Sequence, residues 1–305
     1  MQEPSTGKDT IHTITRTVTA TLTAGALALG LTACSSSEDS KTITLGYMPA
    51  WTDIEATTYL YKHKLEEAGY EVELEEVSDA AVIYTALGNG DFDMFSSAWI
   101  ERTHDKYYQE VKDEVEDLGV FGDYASNFLA VPEYSELNSI EDLKDKAGDY
   151  DGTITGIEPG AGLTEMVQSS VFPAYDLEGE GYELVTSSTP AMLSELQTAL
   201  DNKEDIITTL WSPYWAYTKY PVKKLEDPKG AFGEPEGMHI LGRGGFTEEY
   251  PEVAKWASEI EFTEDEFGHF EDLFVNEYGD GKEEEAIAAW LEENPDKIPD
   301  IPAAE

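Results

Sequence analysis

The sequence predicts an α/β protein built as two similar lobes with a ligand cleft between them, and two observations carry that prediction. From residue 42 onward, short apolar runs alternate with helical patterns in two successive β-α-β-α-β sets, the signature of an open, mostly parallel sheet with helices on both faces. The simplest path then crosses from the first set to the second near 128–134 and returns near 236–242, and two crossovers make a hinge. The lobes so defined are 42–128 together with 240–305, and 129–239.

In the first set, TITLGYM (42–48) reads as a strand, about 53–68 as a helix, and YEVELEEV (70–77) as a half-buried strand with period-two alternation. A second helix over about 79–88 leads to DFDMFSSAW (91–99), a short strand that delivers Trp99 to its carboxyl end. SNFLAVPEY (126–134) is a further strand with Pro132 at its exit. The second set opens with a short helix in SIEDL (139–143), N-capped by Ser139, and continues with GTITGIEPG (152–160), a strand running into a Gly-rich turn. An amphipathic helix over 163–175, a strand in YELVTSS (182–188), a helix over 190–202 and the strand DIITTLW (205–211) complete it. MHILGRGGF (238–246) is a later strand, and the remainder is helical.

The 305 residues carry 64 Asp and Glu against 19 Lys and Arg, a formal charge of −45. A chain of this length is long enough for about two domains of ~150 residues, each with its own core. Aromatic residues make up 11% of it, more than a disordered acidic tail carries. A polyanion without a Lys/Arg cluster repels phosphates, which argues against nucleic acid as a partner. The carboxylates are spread along the whole chain rather than gathered in one block, and that distribution fits adaptation to concentrated salt. At 1 M salt the Debye length is only ~3 Å and self-repulsion is screened.

Cys34 is the single cysteine, which excludes an intramolecular disulfide framework and a multi-cysteine metal site. Lys8 and Arg16 precede an uncharged run of apolar and small residues over 17–33, the shape of a secretory signal, and Leu31-Thr32-Ala33-Cys34 resembles the lipobox of bacterial lipoproteins. Cleavage before Cys34, acylation of that cysteine and a polar tether over 34–41 follow from this reading. The protein is then expected outside the cell membrane, held to it by lipid.

In open α/β sheets, ligands bind beyond the carboxyl ends of the strands. Three of those ends here carry Trp: Trp51 in GYMPAW, Trp99 in SSAW and Trp211 in TTLWSPYW. Trp256 and Trp290 have helical apolar spacing and read as core, whereas Tyr214 and Trp215 fit either role. Several indole faces around one centre attract a bulky cation without hydrogen-bond donors, such as a quaternary ammonium, at ~0.5–2 kcal/mol per face. A sugar stacked on aromatic faces is the other occupant. The Gly-rich turn IEPGAGL (157–163) leads into a helix whose first N–H groups favour an anion, and it lacks the Lys and Ser/Thr of a phosphate loop. His104 adds a further donor. A cation cage beside an anion nest describes a zwitterion.

At these residues the chain resembles the glycine betaine and proline betaine substrate-binding proteins of ABC transporters, over about 42–302. The motifs are GYMPAWTD (46–53), SSAWIERTH (96–104), ITGIEPGAGL (154–163), STPAMLSEL (188–196), TLWSPYW (209–215) and LEDPKGAFGE (225–234). The resemblance implies the bilobal type II periplasmic-binding-protein fold. It also implies a cage of Trp51, Trp99 and Trp211 around a trimethylammonium, with His104 and the backbone N–H groups of Gly162 and Leu163 on the carboxylate. The partners it implies are a transporter permease and, through it, an ATPase. No catalytic residue and no cofactor is expected. In one departure, relatives often carry His where this chain has Tyr214. Choline, carnitine, ectoine and sulfonium analogues are rival ligands, since a cage and a nest do not measure the spacer between two charges. An extracellular hydrolase would need a defined nucleophile and base. A metal-binding lipoprotein would need clustered ligands, and His12, His63, His104, His239 and His269 are scattered.

Overall fold

The computed structural model describes residues 41–304. The expected signal segment over 1–33, Cys34 and nearly all of the expected tether therefore lie outside the described residues. Among the described residues, no helix is long and apolar enough to cross a membrane.

The chain runs β1 (Thr42–Tyr47), α1 (Thr52–Glu67), β2 (Glu71–Glu76), α2 (Ala80–Asn89), β3 (Met94–Ala98), α3 (Asp105–Val111) and β4 (Val115–Pro132). A capped 3-10 turn at Ile140–Leu143 precedes β5 (Thr153–Thr155), and a helical run follows as α4 (Gly162–Met166), a π turn (Val167–Val171) and α5 (Phe172–Tyr175). Then come β6 (Glu183–Val185), α6 (Thr189–Asn202), β7 (Thr208–Ser212), α7 (Trp215–Lys219), β8 (Val222–Lys224) and β9 (Glu236–Arg243). The chain continues through α8 (Phe246–Glu249), α9 (Pro251–Ala257), α10 (Glu264–Asp272), a second π turn (Leu273–Tyr278) and α11 (Glu283–Glu293).

Local chemistry accounts for several of these boundaries. Asp79 accepts hydrogen bonds from the Ala81 and Val82 amides at the start of α2, and Gly90 ends that helix in the left-handed region. Ser139 and Asp142 form a reciprocal capping box, as do Thr263 and Glu266 at α10. Ser188 caps α6 ahead of Pro190.

The strands pair in the order β2-β1-β3-β9-β4-β7-β5-β6, with β8 also on β4. A mostly parallel sheet was the expectation; the sheet is mixed. β1 runs parallel to β2 and β3, and β5 parallel to β6 and β7, so each β-α-β set keeps the predicted sense. The strands through the middle are antiparallel: β9 to β3 and β4, and β4 to β7 and β8. β4 is much longer than the expected strand at 126–134. Its first half, VEDLGVFGDYA, breaks the period-two pattern because register shifts fall at Gly119 and Gly122. Gly119 has φ +149°, and a Cβ there would press on the Ser258 backbone at 2.9 Å.

Edge strand β2 exposes its glutamates and half-buries Val72 and Leu74, a charged edge that resists pairing with other chains. Trp256 and Trp290 lie in the core as expected, 2% and 1% exposed. Trp290 packs against Phe262 and Phe270, and the Trp256 Nε1–H donates to the Pro299 carbonyl at 2.8 Å.

Candidate ligand site

All six residues singled out for a ligand, Trp51, Trp99, His104, Gly162, Leu163 and Trp211, line one cavity. Asp53, Ser97, Thr103, Asn127, Ile157 and Ala161 complete its wall. The space open to the centres of water molecules is about 30 Å³, enough for roughly two waters. The three indoles are buried, Trp51 at 7%, Trp99 at 4% and Trp211 at 5% exposure.

Each side chain arrives by a different local device. Trp51 is the N-cap residue of α1, set by the turn after β1. Trp99 follows β3 across an irregularity: the pairing with β9 shifts between Phe95 and Ala98, and Ser97 holds φ +57°, uncommon for a residue other than glycine. That twist places the Ser97 hydroxyl so that it accepts from the Trp99 Nε1–H at 3.3 Å and donates to Asp53 Oδ2 at 2.5 Å. Trp211 sits in β7 opposite Asn127 of β4. Tyr214 stacks on Trp211, centroids 3.9 Å apart and planes 21° from parallel, so it backs the indole without lining the cavity.

The loop after β3 is fixed by Glu236, which accepts from the Arg102 amide at 2.9 Å and the Thr103 hydroxyl at 2.5 Å. Asn127 in turn donates to the Thr103 hydroxyl at 2.6 Å. Against this loop packs the Gly-rich turn: a side chain at Gly162 would run into the Thr103 carbonyl, so only glycine allows the approach. The Tyr107 hydroxyl donates to the Gly160 carbonyl at 2.7 Å, and Lys106 pairs with Glu165 at 3.0 Å.

The electrostatics are those of a dry site. Burial pulls the His104 pKa down to about 3, so its imidazole is neutral. Its Nδ1 accepts from the Tyr84 hydroxyl at 3.0 Å and from the Trp99 amide at 3.3 Å. Two donors on Nδ1 leave the proton on Nε2, and that N–H is a donor without a protein partner among the described residues. Burial raises Asp53 to about 6, against the opposing Ser97 hydrogen bond. The N–H groups of Gly162 and Leu163 open the helical run and have no partner within it. The set therefore offers indole faces and a carboxyl group for a cation, and N–H donors for an anion.

Residues 41–293 match the OpuAC family, described as the substrate binding domain of ABC-type glycine betaine transport systems. The chain belongs to this family. It is 36% identical over 156 residues, 51% of this chain, to the glycine betaine/carnitine transport binding protein GbuC of Listeria monocytogenes, and spans about half of that relative's length. Lactococcal OpuAC, solved closed and complexed with glycine betaine, superposes with a TM-score of 0.77 at 33% identity, over 85% of this chain and 98% of that one. The ProX protein of Borrelia burgdorferi gives 0.77 at 29%, over 85% and 97%. An ABC-transporter choline binding protein in complex with choline gives 0.74 at 28%, over 85% and 90%. The fold is thus the bilobal type II binding-protein fold.

Sequence reasoning missed Asp53, Ser97, Thr103 and Asn127. Asp53 had a signal, being two residues after Trp51 in GYMPAWTD. Ser97 and Thr103 lie within SSAWIERTH but have no distinguishing pattern, and Asn127 enters only through the antiparallel pairing of β4 with β7.

Proposed function

We propose that the protein is the extracytoplasmic receptor of an ABC importer for glycine betaine or a closely related quaternary-ammonium solute. The observation that carries this reading is the single cavity lined by Trp51, Trp99, Trp211, a neutral His104 and the Gly162–Leu163 helix start. The indole faces take the trimethylammonium. The His104 Nε2–H and the two backbone N–H groups take the carboxylate. The lobe of 42–128 with 240–305 and the lobe of 129–239 close on the ligand, and the contacts of Tyr107 with Gly160 and of Lys106 with Glu165 seal the mouth. The closed form then docks on the transporter's permease, and a separate ATPase subunit drives transport; this chain catalyses nothing. A lipid on Cys34 holds it at the outer face of the membrane. In a cell adapted to salt, the cargo is an osmoprotectant.

A second reading, choline, is favoured by Asp53, whose carboxyl in the cavity wall suits a ligand with net positive charge. The two are separated by calorimetric titration in molar salt with glycine betaine and then choline, with Trp fluorescence recorded in parallel. Saturable one-to-one heat with betaine and an indole spectral change supports the zwitterion receptor. Binding of choline alone would keep the cage and remove the anion nest. Silence with both would sink the receptor reading.

A further inference from the structure

Behind the cavity lies a carboxyl group that the receptor reading does not use. Glu271 on α10 is fully buried, at 0% exposure. Its Oε1 accepts from the hydroxyl of Thr52, the residue directly after Trp51. Its Oε2 has no hydrogen-bond partner among the described residues, although the Trp215 backbone N–H, four residues beyond Trp211, is near enough to favour the charged form. α10 packs against both α1 and α7 and widens into a π turn directly after Asp272, a feature common near functional sites. A buried carboxyl with one oxygen unpaired is costly, and such a group calls for a reason.

We propose that Glu271 is a positioning residue of the site: held between the first turn of α1 and the start of α7, its carboxyl sets the separation of the Trp51 and Trp211 turns. This rests on the receptor reading, in which the α7 side closes toward the α1 side around the ligand. In the open protein the α7 side withdraws and the carboxyl meets water. In the closed protein it is dry, and burial raises its pKa to about 8. The groups facing it do not supply a compensating cation: Asp53 from α1 and its neighbour Asp272 on α10 raise it further. Tyr214 ahead of α7 and Tyr124 of β4 are themselves raised by burial and stay neutral. Closure therefore draws one proton from solvent onto the Glu271 carboxylate. Affinity consequently falls as pH rises toward 8, by up to about tenfold per unit where the open form is ionised.

The test is calorimetric titration of the full chain with glycine betaine in molar salt, in two buffers of different ionisation enthalpy, for the wild type and Glu271→Gln. Gln keeps an acceptor for Thr52 and does not titrate, so the difference between the two proteins reports the Glu271 proton together with its coupling to Asp53. The wild type should take up more protons per ligand at pH 7 than Glu271→Gln, and only the wild type should weaken between pH 7 and 8. At pH 6, where the open form is already ionised, Glu271→Gln should bind more tightly than the wild type, and Glu271→Ala, which also removes the tie to Thr52, should bind about tenfold more weakly than Glu271→Gln. Equal proton uptake and equal pH profiles in wild type and Gln would overturn the inference while leaving the receptor reading intact. A wild type without saturable heat would overturn both.

Discussion

Trp51 and His104 lie face to face, ring centroids 5.6 Å apart and planes 5° from parallel. The imidazole thus does two things at once: it fixes the plane of an indole, and its Nε2–H remains available as a donor. Burial keeps the ring neutral, so Nδ1 stays an acceptor for the Tyr84 hydroxyl and the Trp99 amide and the ring's orientation is fixed.

Replacing His104 with Ala should therefore weaken glycine betaine by about 10- to 100-fold, the equivalent of ~1.5–3 kcal/mol for a hydrogen bond to a charged group. Choline, which has no carboxylate, should lose less. With the His104 pKa at about 3, neither ligand should show a step from this residue between pH 5 and 8. Titration calorimetry with both ligands checks this, and equal losses would assign His104 to packing alone.

Trp211 has one face covered by Tyr214 at 3.9 Å, which leaves the other for the cavity. Trp211→Ala should cost at least ~1 kcal/mol of ligand binding. An unchanged affinity would remove Trp211 from the cage. Tyr214 supports this indole rather than lining the cavity.

Much of this site was legible in the sequence because strand-end position is a property of local pattern. Trp51, Trp99 and Trp211 follow apolar runs, and the turn through Gly162 follows another. What stayed hidden depends on long-range pairing. Asn127 faces Trp211 only because β4 runs antiparallel to β7, and the first half of β4 was obscured by bulges at Gly119 and Gly122. Glu271 was equally hidden, since its partner Thr52 lies 219 residues away in the chain. The parallel pairs within each β-α-β set follow from local alternation, whereas the antiparallel centre does not.

Gly162 should not tolerate even a methyl group, because the Thr103 carbonyl occupies that space. Gly162→Ala should separate the Gly-rich turn from the loop after β3 and weaken ligand binding by more than tenfold, while the melting temperature of the ligand-free protein changes little. Thermal denaturation with and without glycine betaine separates the two effects.

The charge of −45 predicts a stability that depends on salt. Screening of like charges should raise the thermal midpoint steeply between low and molar salt, since the Debye length contracts from ~30 Å at 0.01 M to ~3 Å at 1 M. Scanning calorimetry across that range is decisive: a flat or falling midpoint would remove the salt-adaptation reading.

Asp53 gives the sharpest means of telling the two ligand classes apart. Its carboxyl is 4% exposed, burial raises its pKa from 3.8 to about 6, and its Oδ2 accepts from Ser97, which in turn holds the Trp99 Nε1–H. In the ligand-free protein the sign is that of a raised acid. Between pH 3.8 and about 6 the folded chain keeps a proton that the unfolded chain has lost, so Asp53 destabilises the fold as pH rises through that window. A bound cation reverses the preference, because it stabilises the ionised carboxylate. Relative to Asp53→Asn, the wild type should therefore gain choline affinity from pH 5 to 7, and Asp53 should contribute a proton released on binding in that range. Glycine betaine, whose own carboxylate offsets its cation, should increase less. Asp53→Asn removes this contribution from both profiles while keeping an acceptor for the Ser97 hydroxyl. If choline binds the wild type and Asp53→Asn with the same pH dependence, the carboxyl does not contact the cation, and the choline reading loses the one observation that favours it.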